Sequence, residues 1–265
     1  MTGATDGIGE GYAAELAKMG FPLLIVSRTE AKLVKAAAAL REAGAPEVQY
    51  VPCDYANAGA AEWAAVREAL ADLDVGFLVN NIGMSYPHAE YLHNLDDALV
   101  DKLVAINCVG TTKMTKIVLE GMAGRKKRAG VVNVGSGAAT ALPTDPLYSV
   151  YAGTKAYVDQ LTKCLGVEYA DHAIDFGLHA PLYVSTKMAQ PGRRYTTWSI
   201  PSAADYARAA LRRVGQDARC SPHWAHSMQW AAMGLIPERQ MNNIRLKQTK
   251  LIRKKALKKK AAKQQ

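Results

Sequence analysis

Ile8, Tyr12, Leu16 and Met19 recur at the spacing that places side chains on one face of a helix. The next stretch, "FPLLIVSR" (21–28), is the leucine-rich, β-branched kind of run found in strands buried on both faces. Helical spacing returns over 30–43 and stops at Gly44. The alternation then repeats. "VQYVPCD" (48–54) reads as a strand, 58–73 as a helix, and "VGFLVNN" (75–81) as a strand. A helical pattern over 95–122 breaks near Asn107, "AGVVNVGS" (129–136) is a strand, 148–169 a long helix, and "AIDFGLHAP" (173–181) a strand. Strands alternating with helices predict a doubly wound, parallel α/β sheet with right-handed crossovers. Ligands of such sheets lie beyond the carboxyl ends of the strands. With no repeat and no linker, residues 1–243 read as one domain.

The first turn is glycine-rich. Gly3, Gly7 and Gly9 stand at the mouth of the first helix, where free backbone N–H groups and the helix dipole make an anion site. In dinucleotide-binding sheets this turn follows the first strand. Here only Met1 and Thr2 precede it, so the first strand is expected to be missing from this chain.

Charge divides the sequence unevenly. Residues 244–265 carry ten Lys or Arg and no acid, whereas 1–243 hold 23 basic and 24 acidic groups. The excess of +9 therefore belongs to the tail "IRLKQTKLIRKKALKKKAAKQQ". That tail suits a solvated basic helix or a segment drawn to an anionic membrane surface. Nucleic acid is disfavoured, because nothing else offers stacking aromatics or a basic groove. No apolar run approaches the roughly 18 residues of a membrane span. "MQWAAMGLIP" (228–237) suits an interface or core packing equally. The four cysteines (Cys53, Cys108, Cys164, Cys220) form no CxxC pair and read as buried thiols.

Tyr151 and Lys155, in "YAGTK", lie four apart and share a helix face. A tyrosine with the usual pKa near 10 moves protons poorly at neutral pH. An adjacent ammonium lowering it by about three units would supply about 4 kcal/mol. Tyr151 is thereby a candidate general acid for a carbonyl undergoing reduction. Other features carry less. Val134 occupies the place of the first glycine of a G-x-S-x-G elbow around Ser136. His223 and His226 lack a third ligand at metal-binding spacing.

In combination the motifs are specific. The TGxxxGIG turn, "NNIG" (80–83), Asn107, Ser136, Tyr151 and Lys155 follow one another in an order that resembles the short-chain dehydrogenase/reductase family. The resemblance covers about residues 1–240 and implies a single Rossmann-type domain. It makes Tyr151 the acid, Lys155 the group that tunes it and binds the nicotinamide ribose, Ser136 the holder of the carbonyl, and Asn107 the anchor of a proton-relay water. Ser136 and Tyr151 stand fifteen apart, wider than the family's usual spacing, with the extra residues in a proline-containing loop. Thr2, Gly3, Thr5, Asp6, Gly7, Ile8 and Gly9 would hold the dinucleotide phosphates. Ser27 and Arg28 would meet the adenosine ribose and Asp54 the adenine, with Asn80, Asn81 and Gly83 also contacting the cofactor. Pro181, Val184 and Thr186 would hold the carboxamide, although Leu182 replaces the family's glycine. An arginine after the second strand of such folds, with no carboxylate beside it, favours NADPH over NADH.

Longer stretches, among them "SGAATALPTDPLYSVYAGTKAYVDQLTKCL" and "YARAALRRVGQDARCSPHWAHS", resemble the plant-type very-long-chain 3-oxoacyl-CoA reductases, with 17β-hydroxysteroid dehydrogenases nearby. That implies reduction of a 3-oxoacyl-CoA in fatty-acid elongation, on the cytosolic face of the endoplasmic reticulum membrane, beside the other elongase subunits. It also implies a homodimer packed through the Tyr151 helix. A ketosteroid reductase and a catalytically silent nucleotide-binding scaffold are the alternatives. Arg193 and Arg194 are candidates for the coenzyme A phosphates, against a reading as solvated loop charges. Relatives in the group begin with a membrane anchor and the first strand, so Met1 is expected to be an internal start. Only Lys263 fits a C-terminal dilysine signal.

Overall fold

The computed structural model describes residues 1–125, 127–189 and 196–262. Arg193, Arg194 and Lys263 lie outside them.

Among the described residues six strands are present: β1 (Leu23–Ser27), β2 (Val48–Pro52), β3 (Phe77–Asn80), β4 (Ala129–Val134), β5 (Ile174–His179) and β6 (Arg219–Cys220). The first five fall inside the runs read from hydrophobicity. All six residues of β4 are buried, which is why its sequence is a continuous apolar and small-residue run without alternation. Every strand pair is parallel, in two ladders: β1 with β2, and β3-β4-β5-β6.

Between β1 and β3 the ladders are joined by Met1–Gly3. Val26 N donates to Met1 O at 2.9 Å, Gly3 N to Val26 O at 2.8 Å, and Thr2 N to Val79 O at 2.9 Å. These bonds sit near the carboxyl ends of both strands. Toward Leu23 and Phe77 no described strand lies between the two ladders. Among the described residues that position holds only Met1–Gly3, in keeping with the expected missing first strand.

Helices cover both faces. These are α1 (Gly7–Lys18), α2 (Glu30–Glu42), α3 (Ala60–Ala71), α4 (Asp97–Val104), α5 (Thr111–Met122), α6 (Gly137–Thr140), α7 (Ser149–Glu168), α8 (Ala203–Leu211), α9 (Trp224–Gly234) and α10 (Glu238–Ala261). Strand alternation assigns the cores. Leu78 and Val131 face Val66, Met114 and Val118 of α3 and α5, whereas Val79 and Val134 face Tyr12, Tyr206 and Ala210 of α1 and α8. The break near Asn107 is a π-helical turn, Ala105–Gly110, which separates α4 from α5.

The C-terminal third was less legible. The basic segment belongs to α10, which begins at Glu238 and buries Met241 and Thr249, so the charge boundary at 243 falls inside a docked helix. Only Cys53 of the cysteines is fully buried. Cys164 is exposed on the outer face of α7, contrary to the expectation of buried thiols.

Candidate active site

The glycine turn is built from two left-handed residues and one close approach. Gly3 and Gly7 have φ of +69° and +61°, a region that side chains with a Cβ avoid. A Cβ on Gly9 would lie 2.1 Å from Gly3 O, so the start of α1 and the turn before it touch backbone to backbone. The Thr2 hydroxyl accepts from Asn81 N (3.0 Å) and Ile82 N (3.1 Å), and Asn81 Nδ2 donates to Gly3 O. The turn and the segment after β3 thus form one floor. Ile8 packs beneath it near Val79 and Val134.

Around this floor stand the other expected dinucleotide residues. Thr5 Oγ1 and the Ser27 hydroxyl share a hydrogen bond of 3.1 Å, and Arg28 is exposed immediately beyond β1. Asp6 pairs with Lys187 Nζ at 2.6 Å, tying the turn to the segment after β5. In that segment Val184 and Thr186 are buried, and a Cβ on Gly7 would come within 3.2 Å of Thr186. The carbonyl of Pro181 accepts from Gly137 N at 2.9 Å. Asp54 engages its own turn through Ala56 N and Asn57 Nδ2. Asn80 faces elsewhere: its Nδ2 donates to Thr115 and Asn133 inside the sheet–helix interface. That side chain fastens β3 to β4 and α5, whereas Asn81 and Gly83 face the turn and Lys155.

The four chemical residues converge. Lys155 is buried in α7 and its Nζ donates to Val134 O at 2.9 Å. A Cβ on Gly83 would lie 3.2 Å from that Nζ and 3.5 Å from Asn107 Oδ1, so the three elements meet closely at this glycine. Asn107, freed by the π-turn, accepts from Met84 N (2.8 Å) and donates to Met84 O and Thr154 Oγ1, both at 2.9 Å. Thr154 Oγ1 donates in turn to the carbonyl of Tyr151. Ser136 caps α6 by accepting from Ala138 N, and its hydroxyl is within hydrogen-bonding range of the Tyr151 phenol.

One expectation is reversed. The phenol of Tyr151 is raised above its usual pKa: burial dominates, the Ser136 contact opposes it, and the Asp145 carboxylate and Tyr183 add to the rise. The ammonium of Lys155 is given to a carbonyl and is itself pushed down to about 8 by burial. Shared helix face did not make the pair a phenolate–ammonium couple. Tyr151 is instead held as a protonated donor.

Residues that motif reading missed complete the site. His226 of α9 is wholly buried and holds the segment after β5, with Nε2 to Tyr183 O at 3.1 Å and Nδ1 to Leu182 N at 3.4 Å. Burial lowers its pKa to about 4, so it is a neutral imidazole donating through one nitrogen and accepting through the other. Sequence reading considers it only with His223 as a metal pair and sets that pair aside for want of a third ligand.

The glycine cradle, the helix N-terminus above it and the Ser136–Tyr151–Lys155 cluster at one end fit a nicotinamide dinucleotide. The family model for short chain dehydrogenases matches residues 1–196. The chain belongs to that family. Among the relatives of this short-chain dehydrogenase/reductase is a very-long-chain 3-oxoacyl-CoA reductase-like protein of Arabidopsis thaliana, 40% identical over 93% of this chain and 79% of the relative. The very-long-chain 3-oxoacyl-CoA reductase of Bos taurus is 34% identical over 89% and 74%. An inactive hydroxysteroid dehydrogenase-like protein 1 of Homo sapiens is 35% identical over 90% and 72%. Among solved structures, a short-chain dehydrogenase of Sphingobium yanoikuyae in complex with NADPH superposes with a TM-score of 0.71 at 27% identity, covering 80% of this chain and 82% of that one.

Proposed function

We propose that this short-chain dehydrogenase/reductase uses NADPH to reduce a very-long-chain 3-oxoacyl-CoA to the 3-hydroxyacyl-CoA, as a step of fatty-acid elongation. The observation that carries the reading is the meeting of Ser136, Tyr151, Lys155 and Asn107 at the mouth of the glycine cradle. Bound NADPH supplies the hydride. Tyr151, protonated at neutral pH, gives its phenolic proton to the carbonyl oxygen, and the Ser136 hydroxyl donates a hydrogen bond to the same oxygen. Lys155 would bind the nicotinamide ribose, and its Nζ already donates to Val134 O beside Gly83. Arg28, exposed beside Ser27, suits a 2′-phosphate through a charge-assisted contact. Asp54 would contact the adenine, and Pro181, Val184 and Thr186 the carboxamide.

The relatives named as reductases support the thioester substrate, and the relative named inactive keeps the silent scaffold as a second reading. Retention of all four chemical residues favours catalysis. A ketosteroid is the competing substrate of the same chemistry. The cytosolic face of the endoplasmic reticulum, the other elongase subunits and a homodimer through α7 belong to this proposal. So does a membrane-surface role for Lys258, Lys259 and Lys260, exposed near the end of α10. Among the described residues no helix is long and apolar enough to cross a membrane.

The test is NADPH oxidation with long-chain 3-oxoacyl-CoA and ketosteroid substrates, compared between the native chain and Tyr151→Phe. The expected result is acyl-CoA turnover that falls about 10²–10⁴-fold in the variant with NADPH binding retained. Equal rates, or turnover of steroid alone, would remove the proposal.

A further inference from the structure

The loop between Ser136 and Tyr151 is held from the C-terminal helix. Arg245 Nε donates to Asp145 Oδ1 at 2.7 Å, and the two side chains are only 11% and 3% exposed. Three residues before Arg245 on α10, Asn242 Oδ1 accepts from Thr144 Oγ1 at 2.6 Å. Just beyond Asp145 the chain passes through Leu147, a buried residue at φ 66°. Such a left-handed, non-glycine conformation persists only where the surroundings overdetermine it. Here Tyr148 N donates to Asp145 O at 3.1 Å, and Glu90 N to Leu147 O at 3.0 Å. α7 starts at Ser149, so Tyr151 lies in its first turn and takes its direction from this loop.

The same guanidinium has a second partner. The Tyr183 side chain lies near enough to the guanidinium to act on it. Tyr183 lies in the segment that His226 pins by its backbone and that continues into Val184 and Thr186. Asp145 and Tyr183 both lie near enough to Tyr151 to act on its phenol electrostatically. A planar guanidinium presents several donors in a fixed fork and can serve two partners at once. A lysine offers a single nitrogen.

We propose that Arg245 is a positioning residue for Tyr151, tying the loop that launches the catalytic helix to the segment that carries Val184 and Thr186. The basic C-terminal helix is then part of the active site. For its kinetic consequence this rests on the reductase reading above; for its structural consequence it rests on the geometry alone.

The test uses the full chain with Arg245→Lys, Arg245→Gln and Asp145→Asn/Arg245→Gln. Measured are kcat and KM for a long-chain 3-oxoacyl-CoA, NADPH affinity by fluorescence, melting temperature, and amide hydrogen exchange over 142–148 and 181–186. Arg245→Gln is expected to lower kcat about 10–100-fold, the effect of an ångström-scale misplacement, with NADPH affinity unchanged and exchange faster in both loops. Arg245→Lys should keep the ion pair and the melting temperature, yet lose kcat and loosen 181–186. The double variant, free of an uncompensated buried carboxylate, should recover melting temperature but not kcat. Recovery of kcat together with stability, or unchanged kcat and exchange in both single variants, would overturn the proposal. A native chain inactive on acyl-CoA and steroid alike would sink the reductase reading, while faster or unchanged exchange in the two loops would still decide the clamp.

Discussion

Replacing Gly9 with alanine sets two effects of opposite sign against each other. Alanine is the better helix former by about 1 kcal/mol, and Gly9 is the third residue of α1. On propensity alone the variant would be more stable. The structure opposes this, because the new Cβ would stand 2.1 Å from Gly3 O and 2.3 Å from Asn81 Nδ2, where ordinary contact starts at 3.4 Å. The turn has to retreat by roughly 1.3 Å or the helix has to tilt. Overpacking of that kind costs about 1–3 kcal/mol, each kcal/mol lowering Tm by about 2–4 °C in a domain this large. The displaced residues are the proposed phosphate cradle, so dinucleotide affinity should fall up to about 100-fold. Calorimetry gives Tm, and quenching of tryptophan fluorescence on NADPH addition gives Kd. Gly153→Ala is the internal control: it sits inside α7 with nothing within 4 Å of its Cβ position, and should gain about 0.5–1 kcal/mol. If Gly9→Ala raised Tm as Gly153→Ala does and bound NADPH like the native chain, the cradle argument would be wrong.

Arg28→Ala should weaken NADPH binding about 10–100-fold, the loss of one charge-assisted contact, and leave NADH binding unchanged. Parallel titrations with both dinucleotides check this. Leu33→Ala empties a fully buried site under β1 and should cost about 2–5 kcal/mol in urea unfolding. His179, buried against Tyr12 OH at 2.7 Å, has its pKa lowered by burial to about 4. The unfolded chain protonates this imidazole near 6.5, so its contribution is complete above that pH and is lost as pH falls toward 4. Urea midpoints measured from pH 7 to 4 should fall steeply, and less steeply in His179→Gln.

Periodicity made the element order legible, because each helix or strand needs only its own residues to show a 3.6-residue or continuous apolar pattern. The break at Asn107 was visible for the same reason and proved to be a π-turn. The chemistry of Tyr151 and Lys155 was legible as a shared face, but their electrostatics were not. A pKa depends on burial and on partners brought from elsewhere, here Val134 O, Ser136 and Asp145. Asn80 shows the same limit. Its neighbours Asn81 and Gly83 face the turn and Lys155, while strand alternation turns Asn80 into the core.

By itself, then, the sequence determined an alternating α/β chain, a glycine cradle and a tyrosine–lysine face, all of which are properties of neighbours within a few residues. Tertiary structure alone decided that Met1–Gly3 carry the hydrogen bonds joining the two ladders, that the basic tail docks as a helix, and that Arg245 meets Asp145 across one hundred positions. Contacts at that separation leave no period in the chain. They exist only once packing has removed both charges from water, and then each is obliged to find the other.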